Sequence, residues 1–282
     1  MKNPYLTQKI AFFFLLLATL LIVVPVGLVV VIIIQKGLPA INWQFLSDIP
    51  RQGMRAGGIF PAIVGTFYLV SGAIIFALPI GLLAAIYLTE YAKDNLLTRL
   101  IKLAIVNLAG VPSVVYGLFG LALFVVFFKF GASILSGSLT LGIMILPVII
   151  TTSVEALESV PASFREVSLS LGVSKWQTIR HIVLPNAVPG ILTGTILGLG
   201  RAAGETAPIL FTVAAFYLPQ LPGSLFDQAM ALPYHLYVIS TQVPNVDEKI
   251  RYGTAFVLLA LVLFMNLVAI VIRSKFRKKK KW

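Results

Sequence analysis

The chain has 282 residues, of which 59% are apolar and 11% charged, with a mean hydropathy of +0.97. A soluble domain carries about 25% charged residues. Apolar runs here recur at the roughly 20 residues that cross a ~30 Å hydrocarbon core, so a soluble globular protein is excluded. The net charge of +12 does not mark a nucleic-acid binder: five of the 22 basic residues crowd Arg277 to Lys281, directly after an apolar span, and read as an anchor on anionic headgroups.

Six helical spans are predicted, in an all-α membrane fold. The first, about Ile10 to Ile34, has an apolar stretch of about 25 residues, against about 7–15 for a signal-peptide core, and is expected to stay in the membrane. A Gly/Pro-containing connection leads to the second, about Ile59 to Leu88, which ends at the charged turn Glu90 to Asn95. The third covers about Leu100 to Phe128 and the fourth about Leu139 to Val154. A polar stretch, Glu155 to Asn186, precedes the fifth span, about Ala187 to Phe216. Within the Pro-rich connection that follows, Ser224 to Thr241 reads as a short outer amphipathic helix with His235 as an interfacial polar residue. The last span runs from about Tyr252 to Ile272. Pro25, Pro79, Pro112 and Pro147 lie in or near spans and permit kinks.

Lys and Arg in alternate loops set the orientation. With the N-terminus in the cytoplasm, fifteen fall inside and six outside, which places both termini and the polar stretch in the cytoplasm. One transmembrane domain over 1–282 is expected, with a cytoplasmic loop at about 155–186 and a basic tail at 273–282. No G-x-x-x-x-G-K-S/T, G-x-S-x-G or H-E-x-x-H pattern occurs, so no nucleotide site, hydrolase site or enzyme activity is expected of the chain itself. Two histidines and no cysteine leave no basis for a structural zinc site.

The loop is the most informative segment. Phe164, Val167, Leu169 and Leu171 precede Gly172, a helix stop. Ser174 is an N-cap for a second short helix whose Trp176, Ile179, Ile182 and Val183 share a face, and Pro185 is expected to end it. Two short helices meeting at a glycine, with apolar residues and no soluble domain to cover them, suit a partner's groove. A pair of helices lying on the headgroups is the alternative.

Arg201 and Glu205 lie inside the fifth predicted span, where a charge costs at least about 2.5–3.5 kcal/mol. Successive helical residues turn by a constant angle, so Gly190, Gly194 and Gly198 form a stripe along one face, and Arg201 and Glu205 fall within that stripe. A glycine stripe marks the close approach of another helix, so the charges face protein or a watery cavity. Arginine suits a tetrahedral oxyanion because its planar fork donates paired hydrogen bonds. A plain Arg–Glu clip between helices is the other reading. Asn107, Ser113 and Tyr116 read as interhelical hydrogen-bonding residues, with a place along the pathway as the other reading.

Glu166, Gly172, Ile182, Leu184 and Pro185 have the spacing of the E-A-A, three residues, G, nine residues, I-x-L-P loop. The segment therefore resembles the signature loop of ABC-importer permeases, departing from it at Val167 and Ser168. The run from Arg201 to Leu210, RAAGETAPIL, is similar to the matching stretch of phosphate-importer permeases of the PstA type; PstC-type subunits follow GET with Met. That resemblance implies a MetI-like permease in the bacterial inner membrane, with Glu166 and Gly172 coupling to an ATPase and Arg201 and Glu205 lining the anion path. It further implies a PstC-type permease, two copies of a PstB-type ATPase carrying the ATP and Mg, and a PstS-type phosphate-binding protein as partners. An importer of sulfate or molybdate, an ion-gradient-driven phosphate carrier and a purely structural subunit are the competing readings.

Overall fold

The computed structural model describes residues 4–278, so Lys279 to Lys281 of the basic tail lie outside the described residues. Helix α1, Pro4–Gly37, is followed by a short α2, Trp43–Ser47, and a hairpin of β1, Pro50–Arg51, and β2, Ala56–Gly57. Helix α3, Phe60–Ile86, widens into a π-helical turn, Tyr87–Tyr91. Then come α4, Leu96–Ala109, and α5, Ser113–Gly120, which continues into a π-helical stretch, Leu121–Phe127. Helix α6 is Ile134–Glu158, α7 is Ala162–Ser170 and α8 is Lys175–Thr178. Helices α9, Leu184–Gly204, α10, Ala207–Thr212, α11, Leu232–Thr241, and α12, Glu248–Lys278, complete the described chain.

Among the described residues five helices are long and apolar enough to cross a membrane, and six where the bent pair α4–α5 counts as one span. The expected six is reached only with that pair, and the boundaries differ. The third span is no continuous helix: α4 and α5 meet at 101° across Gly110, Val111 and Pro112. Proline drives its predecessor out of the α region, and the glycine one residue earlier adds no resistance. The Tyr116 hydroxyl bridges the break, donating at 2.8 Å to the Leu108 carbonyl, which also accepts from the Val111 amide. The fourth span is longer than expected, Ile134–Glu158. The fifth begins at Lys175 and ends at Gly204, well short of the expected Phe216.

Helix α6 is the axis. It packs against α3 and α9, while α4, α5 and α10 also lean on it. Leu141, Met144, Ile145 and Ile149 are fully buried along it. Its approach to α9 is close: a side chain at Gly194 would collide with the Thr152 hydroxyl, and one at Gly190 with Ala156. The glycine stripe thus does face a helix. Helix α12 also packs on α9, where Arg273, expected in the tail, donates to Thr193 at 3.1 Å. No residue in the apolar window of α1 is buried, and α1 packs mainly on α12.

The end of the bundle opposite the α7–α8 elbow is capped by backbone hydrogen bonds. The first amides of α6 have no partners within the helix. Segment 213–231 folds back to supply them, with Asp227 and Leu225 carbonyls each 2.9 Å from the amides of Ile134 and Leu135. Met54, in the tight turn of the hairpin with φ of 71°, is buried, and the Tyr217 hydroxyl donates to the Pro50 carbonyl at 3.0 Å. The buried Leu232 amide donates to Thr66 Oγ1 at 2.8 Å, which pins the start of α11 to α3.

Helix α11 starts at Leu232, later than expected, and packs between α3 and α12 rather than lying on a surface. His235 is therefore not an interfacial residue: it is 3% exposed and its Nδ1 has no partner among the described residues. Burial pushes its pKa down to about 4, so it is neutral near pH 7. Between its unfolded value near 6.5 and about 4 the unfolded chain binds the extra proton, so stability falls as the pH falls. Melting in detergent should show a loss of about 1.4 kcal/mol per pH unit across that window, absent in His235→Leu. Equal acid sensitivity in the two proteins would contradict the assignment.

Candidate functional site

Residues 161–185 form an elbow whose shape follows from local chemistry. Pro161 opens α7 and Gly172 closes it, with φ of 78° in the left-handed region that favours glycine. The amides of Gly172 and Val173 turn back to the carbonyls of Leu169 and Ser168 at 3.0 and 3.3 Å. Ser174 then caps α8 as expected, in a reciprocal arrangement with Gln177. Two of the expected features differ. Trp176 does not share a face with the buried Ile179 and Val183; it points outward. Pro185 does not end the helix, which runs on from Lys175 to Gly204. A π-helical turn, Ile179–Val183, precedes the proline, with the Leu184 amide donating to the Ile179 carbonyl, and Asn186 Nδ2 donates to the Ile182 carbonyl at 2.7 Å.

Ser168 stands where the E-A-A loop has an alanine. The structure places its hydroxyl 2.8 Å from that of Thr178, with both residues buried, so the two arms of the elbow are stapled together. A serine at an alanine position ten residues before a threonine was the only signal. Outward from the staple, Val167, Leu169, Leu171 and Trp176 are exposed, as are Glu166, Gly172 and Pro185, while Ile182 and Leu184 are half-buried where the elbow joins the span. The elbow presents an apolar knob on a rigid turn.

Arg201 and Glu205 were expected on one continuous helix face. Arg201 is in the last turn of α9, but the helix stops at Gly204 and Glu205 is extended, with φ and ψ of −77° and 136°. The chain resumes as α10 at Ala207. The charges still meet, Nε to Oε1 at 3.5 Å, with Glu205 the more buried. Arg201 lies about 39 Å along the helix from Lys175, at the end far from the elbow. Two broken spans come together here. Helix α5 packs on α10, Gly117 lies against Ala207 and Pro208, and the Tyr116 phenol is within the field of Arg201. Among the described residues the Arg201 guanidinium is paired with Glu205 and makes no hydrogen bond. Tyr116 braces α5 against α4, as expected, and also borders this charge.

Residues 77–281 match the family described as binding-protein-dependent transport system inner membrane component. The chain is similar to a probable ABC transporter permease protein, YqgI, of Bacillus subtilis, at 35% identity over 86% of this chain and 87% of that one. It is 37% identical to the phosphate transport system permease protein PstA 1 of Mycobacterium tuberculosis, over 77% of this chain and 71% of the relative. Its fold resembles that of a chain in an inward-facing structure of the MetNI methionine ABC transporter, with a TM-score of 0.59 at 15% identity, over 77% of this chain and 97% of the other. A family match over most of the chain, and likeness to two permeases over most of their length, leave one assignment: the chain belongs to the inner-membrane components of binding-protein-dependent transport systems, as a multi-pass permease.

Proposed function

We propose that this chain is the PstA-type permease subunit of an ATP-driven importer of inorganic phosphate. The observation that carries the coupling half is the elbow, an exposed apolar knob built rigidly enough to pass on a push. Family membership implies a binding protein and an ATPase as partners. The elbow fits a cleft on the ATPase, with Glu166 and Gly172 as coupling positions and Ile182, Leu184 and Pro185 carrying the motion straight into α9. The distribution of basic residues supports placing the elbow and both termini in the cytoplasm. The hairpin end then faces the binding protein, with a polar cavity of ≈ 310 Å³ bordered by Asn42, Gln44, Asp247 and Lys249. A PstC-type permease completes the path, and two PstB-type ATPase subunits hold the ATP and Mg; the binding protein is of the PstS type.

Phosphate as substrate is supported by the relative's name and by the chemistry of Arg201. Its planar fork matches a tetrahedral oxyanion, and Glu205, held 3.5 Å away, orients the guanidinium or accepts from a protonated oxyanion. The same ion pair also favours a second reading, in which it only clips the end of α9 to the following segment.

In proteoliposomes holding the full assembly, Arg201→Gln should lower ATP-dependent phosphate uptake at least about tenfold, about 1.4 kcal/mol, with assembly and ATPase binding intact. Unimpaired uptake would reduce the pair to a clip, and uptake driven by an ion gradient without ATP would replace the importer by a secondary carrier. Gly172→Pro should leave the protein inserted while ATP hydrolysis continues without uptake, because proline cannot adopt φ of 78°. Gly172→Ala should do so more weakly, since a Cβ there meets nothing and costs only about 1–2 kcal/mol of backbone strain. Normal uptake in the proline variant would remove the elbow from the coupling path.

A further inference from the structure

The elbow has a narrow attachment to the bundle. Among the described residues, α7 buries only Ser168, whose hydroxyl reaches α8, and α7 packs mainly on α8 and the turn after it rather than on α3 or α6. Apolar packing resists separation but not sliding, so a push received on α7 needs a directional contact to reach the membrane helices undiminished. Phe164 of α7 packs against the apolar cluster at this end of the bundle, and the polar tie from α7 to the end of α3 is one guanidinium.

Arg165, one turn into α7, reaches the π-helical turn at the end of α3. Its Nη2 and Nε donate to Glu90 Oε1 at 2.7 and 3.0 Å. Nη1 donates to the Val160 carbonyl at 2.7 Å and Nη2 also to the Leu157 carbonyl at 2.9 Å. Leu157 is in the last turn of α6, where carbonyls have no partners within the helix. One side chain thus holds the ends of α3 and α6 and the start of α7 at fixed spacing. The Glu90 side chain is 7% exposed and that of Arg165 22%, whereas the Lys36–Glu248, Arg99–Asp94 and Lys102–Glu158 bridges lie open to solvent. At this end of the bundle, Ile86, Leu157, Val160, Ile179 and Val183 form a separate apolar cluster.

A buried ion pair is a poor way to stabilise a fold, because desolvating both charges offsets most of their attraction and apolar residues of the same size often do as well. Its value is directional. The planar fork accepts one arrangement of carboxylate and carbonyls and resists shear and rotation that an apolar contact would allow.

We propose that the Arg165–Glu90 pair is a positioning clamp that makes α7 and the adjoining end of α3 move as one body, so that displacement of the elbow is delivered to α3 and α6. Neither residue touches substrate or nucleotide; Arg165 acts through the elbow, and Glu90 through Arg165. The clamp rests on the reading that the elbow receives an ATPase.

The test uses the assembled transporter in proteoliposomes. The chain has no cysteine, so Lys93→Cys and Ser163→Cys place spin labels on the two sides of the clamp without competing thiols from this chain. With native Arg165 and Glu90, the label distance should stay narrow and unchanged between nucleotide-free and vanadate-trapped states. In Arg165→Ala and in the isosteric Glu90→Gln it should broaden, and uptake per ATP hydrolysed should fall about tenfold, within the ordinary range of coupling between sites. Arg165→Lys should recover part of both readouts. Native distances and native uptake per ATP in Glu90→Gln, with Arg165→Ala equally unaffected, would overturn the clamp. Absence of ATP-driven phosphate uptake with the native residues would overturn the functional reading instead, while the nucleotide-free distances in the same samples would still decide the clamp.

Discussion

Helices in a bilayer gain little from hiding apolar surface, since lipid is as apolar as their neighbours, so association depends on close approach and on polar contacts. In this protein that constraint falls on α6. Two long helices lie along it, and the contact with α9 is close enough for Gly194 and Gly190 to leave room only for Thr152 and Ala156. Larger residues there would move α9 outward, and with it the elbow at one end and Arg201 at the other. Both candidate sites take their positions from one helix contact.

Backbone polarity explains the rest of the architecture. Irregular chain at membrane depth is tolerated only where its freed amides and carbonyls find partners. At the α4–α5 break the Leu108 carbonyl takes the Tyr116 hydroxyl and the Val111 amide, and the start of α6 uses carbonyls from segment 213–231. The α9–α10 break leaves two charges at a helix end, where the extended Glu205 turns back toward Arg201.

The elbow and the charged helix end are joined by a single rigid element, the helix from Lys175 to Gly204. Had Pro185 broken it, motion of the loop would have been separated from the span. The π-helical turn before the proline lets the helix pass without losing direction, and the Asn186 side chain takes up the Ile182 carbonyl. A lever of about 44 Å between the loop and the residue before Glu205 follows from its length.

The sequence by itself determined whatever depends on neighbouring residues. Apolar run length marked the membrane-crossing helices, the positive φ at Gly172 followed from a glycine after an apolar helix, and the Ser174 cap followed from a small hydroxyl residue opening the second helical stretch. The glycine stripe that faces α6 was legible for the same reason, because helical periodicity places residues on a face without reference to anything else. Tertiary structure decided the remainder. Composition could not tell a span bent by 101° from a straight one, nor show that Glu205 leaves the helix that carries Arg201. His235 looked interfacial in a Pro-rich connection and became buried because α3 and α12 close over α11. Glu90 and Arg165 are 75 residues apart, and Ser168 and Thr178 belong to different helices. Hydrogen-bond geometry acts over about 3 Å of space, whatever the separation along the chain, and only the fold supplies that proximity.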